Sequence, residues 1–459
     1  MNEVIELLKK IKKIHFIGIG GSGMCPLAEI LHEEGYELSG SDNNESDILK
    51  RIRALGIPVS MGQRAENIEG AEMIVYTAAL LEDNPELVAA KKSGIPTFER
   101  SKLFGAITTM YPNCICIAGT HGKTTVTSML TQVMISAGKD PTAVIGGKLP
   151  FNNRYGVVGH SENMVCEACE FVDTFLDLDP DVSVILNIDE DHLDYFKTLE
   201  NLKASFTKFA NNASKAVIYN GDDKNTIDAI NNAERGKDLI TFGLGEENDY
   251  RAVNVDAESS AFPCFDVCRD NEILGHIELH IPGEHNVYNA LAAFACAHYS
   301  GVEADEAIKA IEQFKGAGRR FEILGKYKGI TIADDYAHHP KELKVTLEAA
   351  MKMGYKKVYA VFQPFTFSRT KILFDDFVEV LQIPDRCVLT EIMGSREINT
   401  YGVYTSQLVE KIPGSVQVDG FENIAKYVTE KAQDGDLIIT LGCGDIYKAA
   451  KIMVDILKE

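Results

Sequence analysis

Two glycine-rich segments in this 459-residue chain carry residue types suited to holding phosphate. The first is Gly18-Ile19-Gly20-Gly21-Ser22-Gly23, with Asp42 downstream at the spacing of a dinucleotide-binding fingerprint. Glycines let backbone N–H groups approach a diphosphate, and the start of a following helix adds partial positive charge. That chemistry accepts any nucleotide diphosphate, NAD included, and a ligand-free strand–helix turn is the plainer alternative. The second segment is Gly119-Thr120-His121-Gly122-Lys123-Thr124-Thr125, a shortened Walker loop with Ile117 where the outer glycine would stand. Its amides suit β- and γ-phosphates, Lys123 a transferring phosphoryl group, and Thr124 a Mg²⁺ ion. Two phosphate loops point to two different nucleotides, and an NAD-dependent oxidoreductase leaves the second without a use.

Further clusters sit where strands should end. Glu167 and Glu170 follow one apolar run, and Asn187-Ile188-Asp189-Glu190-Asp191-His192 follows another. Each alone also reads as a solvated acidic loop, but beside the Lys123 loop they become oxygen and imidazole candidates for Mg²⁺. Asn286 and Asn289 stand at a helix start, as poised polar side chains or as helix caps. Arg319-Arg320 is either surface charge or a source of an arginine that stabilises phosphoryl transfer. Asp334-Asp335-Tyr336-Ala337-His338-His339-Pro340 reads as a strand end with its acids and histidines exposed, Pro340 opening the next helix. In Gln363–Thr370, Arg369 is a candidate carboxylate binder. The ten cysteines form no disulfide framework, and Cys114-x-Cys116, Cys166-x-x-Cys169 and Cys264-x-x-x-Cys268 read as small buried hydrophobes rather than zinc ligands.

The elements that must position these residues are short apolar runs alternating with helical patterns, which predicts α/β architecture with mostly parallel sheets. Strand His15–Ile19, the first glycine loop and helix Ser22–Glu34 form the opening unit, and strands Met73–Thr77 and Ile95–Phe98 continue it. The pattern restarts at Cys114–Ala118 and runs through Met164–Cys166, Val182–Asn187, Ala216–Tyr219 and Leu239–Phe242. Residues 250–281 read as an antiparallel excursion, followed by helices near 286–299 and 304–314. A third series starts after Gly318, with strands Ile330–Ala333, Val358–Phe362, Cys387–Glu391 and Leu437–Leu441. Length gives the same count, about three domains at roughly 150 residues each.

Composition narrows the function classes. Hydrophobic residues make up 45% of the chain, enough for folded cores. With 46 Lys and Arg against 68 Asp and Glu, the formal charge of −22 argues against a broad nucleic-acid surface. No secretion signal is expected at Met1–Lys13, and Leu103–Gly122 is too interrupted by polar residues to span a membrane. A cytoplasmic location follows as an expectation.

Taken together, Gly18–Met24, Gly119–Thr125, Asn187–His192, Gly283–Asn289, Gly316–Phe321, Asp334–Pro340 and Gln363–Thr370 resemble, in order, the motif series of the Mur ligase family of bacterial cell-wall synthesis. The resemblance covers essentially the whole chain. It implies a three-domain Mur ligase-like α/β fold: a Rossmann-like UDP-sugar domain at 1–107, a P-loop ATPase-like domain at 108–316, and a Rossmann-like amino-acid domain at 317–459. It implies an ATP- and Mg²⁺-dependent enzyme, monomeric or homodimeric, joining L-alanine to the lactyl carboxylate of UDP-N-acetylmuramate through an acyl phosphate. A sister activity, adding a recycled tripeptide to the same sugar nucleotide, is the alternative.

By the same resemblance Gly18, Gly20, Gly21, Ser22, Gly23 and Asp42 would serve the UDP-sugar. Gly119–Thr125, Asn286 and Asn289 would serve ATP, while Thr124, Glu167 and His192 would serve Mg²⁺. Lys123, Arg320, Asp335 and His338 match catalytic positions, and Arg369 sits where the amino acid is expected. Phe365 and Thr366 stand where the family often has histidine and sometimes arginine, and Glu167-Ala168-Cys169-Glu170 lacks the commoner aspartate.

Overall fold

A computed structural model describes residues 2–395 and 397–458. The chain divides into two compact units, one of 1–253, 266–276 and 288–311, the other of 254–265, 277–287 and 312–459.

The first unit opens with five strands, β1 (Lys13–Ile17), β2 (Glu37–Asp42), β3 (Val59–Met61), β4 (Met73–Tyr76) and β5 (Thr97–Glu99). They form a parallel sheet in the order β3-β2-β1-β4-β5. Strand order reverses between β1 and β4, the place where open α/β sheets leave a crevice at their carboxyl ends. The first glycine loop follows β1 there. The helix after it begins at Cys25, not at Ser22 as the sequence pattern suggests. Residues 18–24 instead close as turns, with Gly21 N–H donating to Gly18 O and Met24 N–H to Gly21 O. Glycine disfavours a helix interior, whereas Pro26 suits a first turn, so the start moves to where the glycines end.

The larger sheet holds β6 (Asn113–Ala118), β7 (Thr142–Val144), β8 (Gly156–Val157), β9 (Asn163–Glu167), β10 (Val182–Ile185), β11 (Ala216–Asn220), β12 (Asp238–Gly243), β13 (Tyr250–Asp256), β14 (Cys264–Arg269) and β15 (Glu272–Glu278). Its order is β15-β14-β13-β12-β11-β10-β6-β9-β7-β8. The inner strands pair in parallel, and β10 is buried at every position, as expected for a strand covered on both faces. Helix Lys123–Ser136 follows β6. Its threonines are tolerated inside because Thr127 and Thr131 donate to the carbonyls of Lys123 and Thr127, four residues back. One apolar cluster, including Phe16, Leu27, Leu103, Cys116, Phe175 and Phe206, joins the packing of both sheets.

The second unit contains β16 (Glu322–Tyr327), β17 (Ile330–Asp335), β18 (Val358–Phe362), β19 (Arg386–Leu389), β20 (Val416–Gln417) and β21 (Leu437–Leu441), in the order β16-β17-β21-β18-β19-β20. β16 and β17 form an antiparallel hairpin, and the other pairs are parallel. The period-2 alternation of β21 sends Leu437, Ile439 and Leu441 into one core and Ile438 into the core on the opposite face. β17 runs two residues further than its apolar pattern, to Asp335. Both acids therefore lie inside, with Asp334 2% and Asp335 6% exposed, correcting the expectation of an exposed loop. Their pairing with Thr440 and Leu441 of β21 carries the strand on. Among the described residues no helix is long and apolar enough to cross a membrane.

Candidate active site

Because β10, β6 and β9 are neighbours, their carboxyl ends deliver three loops side by side. The loop after β6 is tied to the loop after β10. Thr120 Oγ1 accepts Asp189 N–H at 2.9 Å, His121 N–H donates to Asn187 Oδ1 at 2.8 Å, and Asn187 Nδ2 donates to His121 O at 3.1 Å. Gly122 starts the helix at φ +88°, and a Cβ there would meet Asn289 Oδ1 at 2.5 Å. Only glycine suits that position, and Asn289 is thereby placed against the phosphate loop. Asn286, three residues earlier on the same helix, is buried and donates its amide to Pro282 O at 2.8 Å.

Lys123 Nζ is 2.5 Å from Gly119 O, 3.1 Å from Thr120 O and 2.9 Å from Glu170 Oε2. Burial works against its charge, but the Glu170 carboxylate outweighs burial and holds the ammonium above the ordinary lysine range. Lys123 is therefore cationic at neutral pH. Glu167 accepts from the Thr124 hydroxyl at 2.9 Å and from Gly146 N–H at 2.8 Å. A carboxylate and a hydroxyl at that separation are a hard-oxygen donor pair, which fits Mg²⁺. The His192 ring packs against Phe171, the residue after Glu170, with centroids 4.8 Å apart, on the rim of the same loops. Thr125 lies half-buried in the first helical turn.

In the first glycine loop Asp42 acts on the backbone. Its two oxygens accept from Gly20 N–H and Asn44 N–H, each at 3.0 Å. Gly18 has φ +84°, and a Cβ there would meet Thr77 Cγ2 at 2.9 Å. Gly21 and Gly23 are half-buried and Ser22 is exposed. Sequence reasoning missed Arg100, whose Nη1 would lie 3.1 Å from a Cβ on Gly23. The available signal was a basic residue immediately after the last strand of the sheet, on the edge that carries the glycine loop.

In the second unit Arg319 and Arg320 part company. Arg319 Nε donates to Asp334 Oδ2 at 2.8 Å, its other nitrogens reach Gly442 O and Gly444 O at 2.5 and 3.3 Å, and its guanidinium lies over Tyr336 and Tyr447. It clamps the ends of β17 and β21. Arg320 lies over the outer aromatic surface of Tyr336, 4.9 Å from the ring centroid, and its charge acts on Asp335. Asp335 accepts from Phe321 N–H and Ala337 N–H, both at 2.7 Å. His338 Nδ1 stands 3.2 Å from Glu342 Oε2 and 3.1 Å from Tyr336 O. Arg369 and Glu342 both act on the Cys443 thiol after β21, which burial pushes up to about 12, so Arg369 and His338 share one end of this sheet. Glu397, also missed, accepts from Thr366 Oγ1 at 3.0 Å and Ser368 N–H at 2.8 Å. Burial opposes its charge, but these donors outweigh burial and hold it below the usual carboxylate value. It braces the start of the short helix Phe367–Ile372 that carries Arg369.

Burial pushes the Asp335 carboxyl up to about 6, against the pull of Arg320 and the two N–H donors. The folded chain thus binds this proton more tightly than the unfolded chain, whose carboxyl sits near 3.8. The resulting stability is fully present below about pH 4 and is lost as pH rises through about 6. Unfolding free energies from urea titrations across that window should fall by roughly 2–3 kcal/mol for the native chain relative to Asp335→Asn, which cannot ionise. Parallel curves for the two proteins would remove Asp335 as the source.

Three family models match the chain in order. Residues 13–111 match the family model described as Mur ligase family, catalytic domain; 117–297 match Mur ligase middle domain; 319–444 match Mur ligase, glutamate ligase domain. The chain is 41% identical over 450 residues to the UDP-N-acetylmuramate–L-alanine ligase of Caldanaerobacter subterraneus subsp. tengcongensis, covering 97% of each chain. It is 43% identical over 455 residues to the protein of the same name from Agathobacter rectalis, covering 97% of this chain and 98% of that one. A crystal structure of UDP-N-acetylmuramate-alanine ligase from Thermotoga maritima superposes with a TM-score of 0.83 at 27% identity, over 97% of this chain and 99% of that one. A murein peptide ligase from Psychrobacter arcticus shares the fold, with a TM-score of 0.75 at 22% identity over 97% and 99% of the two chains. On three family models in chain order and relatives this similar over nearly its whole length, the chain belongs to the Mur ligase family.

Proposed function

We propose that this enzyme joins L-alanine to the lactyl carboxylate of UDP-N-acetylmuramate, converting ATP to ADP and phosphate, as a cytoplasmic step of peptidoglycan precursor synthesis. The observation that carries the reading is the paired arrangement after β6 and β9: a cationic Lys123 held by Glu170, and the Thr124 hydroxyl held by Glu167, on one phosphate-sized loop. It is supported by the 41–43% identity to ligases of that name across 97% of the chain. We assign 1–107 to the UDP-sugar, 108–316 to ATP and 317–459 to the amino acid.

A carboxylate is a poor acyl donor because oxide is a bad leaving group. Transfer of the γ-phosphoryl group to a lactyl oxygen gives an acyl phosphate and ADP. The alanine amine then forms the C–N bond as the C–O bond to phosphate breaks, and the amine loses its proton. Lys123, released from Glu170 by an arriving phosphate, neutralises charge on the transferred group, and the amides of Gly119–Lys123 orient it. Thr124, Glu167 and His192 would hold Mg²⁺, which when bound supplies charge stabilisation to the phosphates. Asn289, set against Gly122, shapes the nucleotide side of the loop, with Asn286 assigned to the same nucleotide. The first glycine loop, set by Asp42 and flanked by Arg100, receives the UDP diphosphate. In the second unit Arg369 is assigned to the alanine carboxylate, His338 to the amine, and Arg320 with Asp335 to charge balance during acyl transfer.

The test is phosphate release from ATP with UDP-N-acetylmuramate and, separately, L-alanine, glycine, L-serine or a tripeptide. L-Alanine should give the highest kcat/KM. Preference for the tripeptide would move the enzyme to the recycling reaction, and release independent of any amine would defeat every ligase reading.

A further inference from the structure

Cys114 and Cys116 meet Cys166, about fifty residues further along the chain, inside the first unit. Cys114 and Cys116 lie two residues apart on β6 and so point to one face, and Cys166 on β9 stands in register with Cys116. Their sulfurs are 3.6 Å apart for Cys114 and Cys116, and 3.2 Å for Cys116 and Cys166, with all three within 4.8 Å of one another. Each is fully buried in the apolar cluster shared by the two sheets. The residue before Gly119 of the phosphate loop ends β6, and Cys166 immediately precedes Glu167.

Two features of this pocket select its ligand. Three thiolates on a divalent cation would leave a net negative charge in apolar surroundings, which costs several kcal/mol. A trivalent centre with three thiolates is neutral. A flat three-coordinate site with bonds of about 2.3 Å would spread the sulfurs to about 4 Å, whereas a pyramidal centre with near-right angles spaces them by about 3.3 Å. The Cys116–Cys166 separation of 3.2 Å is the pyramid's, and the 3.6 Å between Cys114 and Cys116 is also shorter than a flat site requires. A lone pair produces that geometry in trivalent arsenic and antimony.

We propose that Cys114, Cys116 and Cys166 form a covalent site for a trivalent arsenic or antimony trihydroxide, next to the nucleotide loop. The step is a condensation. Three As–O bonds break and three As–S bonds form, each thiol proton leaves on a hydroxide as water, and arsenic stays trivalent. The reagent is small and uncharged at neutral pH, so it enters through transient opening of the apolar cluster that covers the thiols. Occupancy holds those two strands together and thereby acts on Gly119 and Glu167 at their ends.

The test uses the reduced full-length chain incubated with arsenite, read by native mass spectrometry and by thiolate-to-arsenic absorption in the near ultraviolet. The expected adduct adds one arsenic and removes three hydrogens, with a fall in ATP turnover. Cys116→Ser should lose the adduct, and Cys169→Ser should retain it. Should Cys116→Ser not fold, Cys114→Ser and fragment mapping of the native adduct locate the site independently. Absence of an adduct, loss of only two hydrogens, or mapping to other cysteines would each overturn the proposal.

Discussion

Lys123→Ala lowers amine-dependent phosphate release by at least about 10³-fold, the scale seen when a preorganised cation is removed from a phosphoryl-transfer site. UDP-sugar binding, which is proposed to use the first glycine loop, should remain, and isothermal calorimetry with UDP-N-acetylmuramate alone checks this. Loss of both together would mean that the two loops do not serve separate ligands. The substitution has a second effect that must be kept apart. Glu170 is 1% exposed, and without Lys123 its carboxylate is left buried and uncompensated. Breaking a buried pair in this way costs about 3–5 kcal/mol. Lys123→Ala/Glu170→Gln removes the stranded charge, so it should recover much of the urea midpoint and none of the turnover. Recovery of turnover in the double variant would reduce Lys123 to a structural role.

Arg319→Ala is the second large effect, expected in stability. The guanidinium holds the 2%-exposed Asp334 and two backbone carbonyls of the segment after β21, from between two tyrosine rings. Its removal strands a buried acid and two acceptors, and the urea midpoint should fall by an amount equivalent to about 3–5 kcal/mol. Arg319→Lys should recover only part of this, because one ammonium cannot reproduce a planar fork bonded in three directions. Combining Arg319→Ala with Asp334→Asn should recover more than the lysine does. A loss below about 1 kcal/mol in the single variant would place Arg319 with ordinary surface arginines.

The two arginines show where sequence reading stops. As neighbours in the sequence they are equivalent in type, and either could supply surface charge or an arginine for phosphoryl transfer. Arg319 has φ +60° and turns back into the sheet. Arg320 lies over Tyr336 and acts on Asp335. Similarly, Glu170 was one of two glutamates after an apolar run, and spacing alone does not show partners. Its role as the counter-ion of Lys123 depends on β9 lying beside β6. Arg100 and Glu397 carry no local motif; they matter because they end up against Gly23 and at the helix bearing Arg369.

What was legible without coordinates shares one property: it is decided within a few residues. A strand, a glycine turn and a following helix are local backbone features, so the strand–turn–helix units around Gly18–Gly23 and Gly119–Thr125 could be read directly, with the first helix displaced to Cys25. Alternating apolar runs likewise gave parallel α/β sheets. Strand order and ion-pair partners are set by contacts between distant segments, whose energies depend on burial. Folding therefore decided that Asp334 and Asp335 lie inside, that Lys123 answers to Glu170, and that Cys114, Cys116 and Cys166 converge.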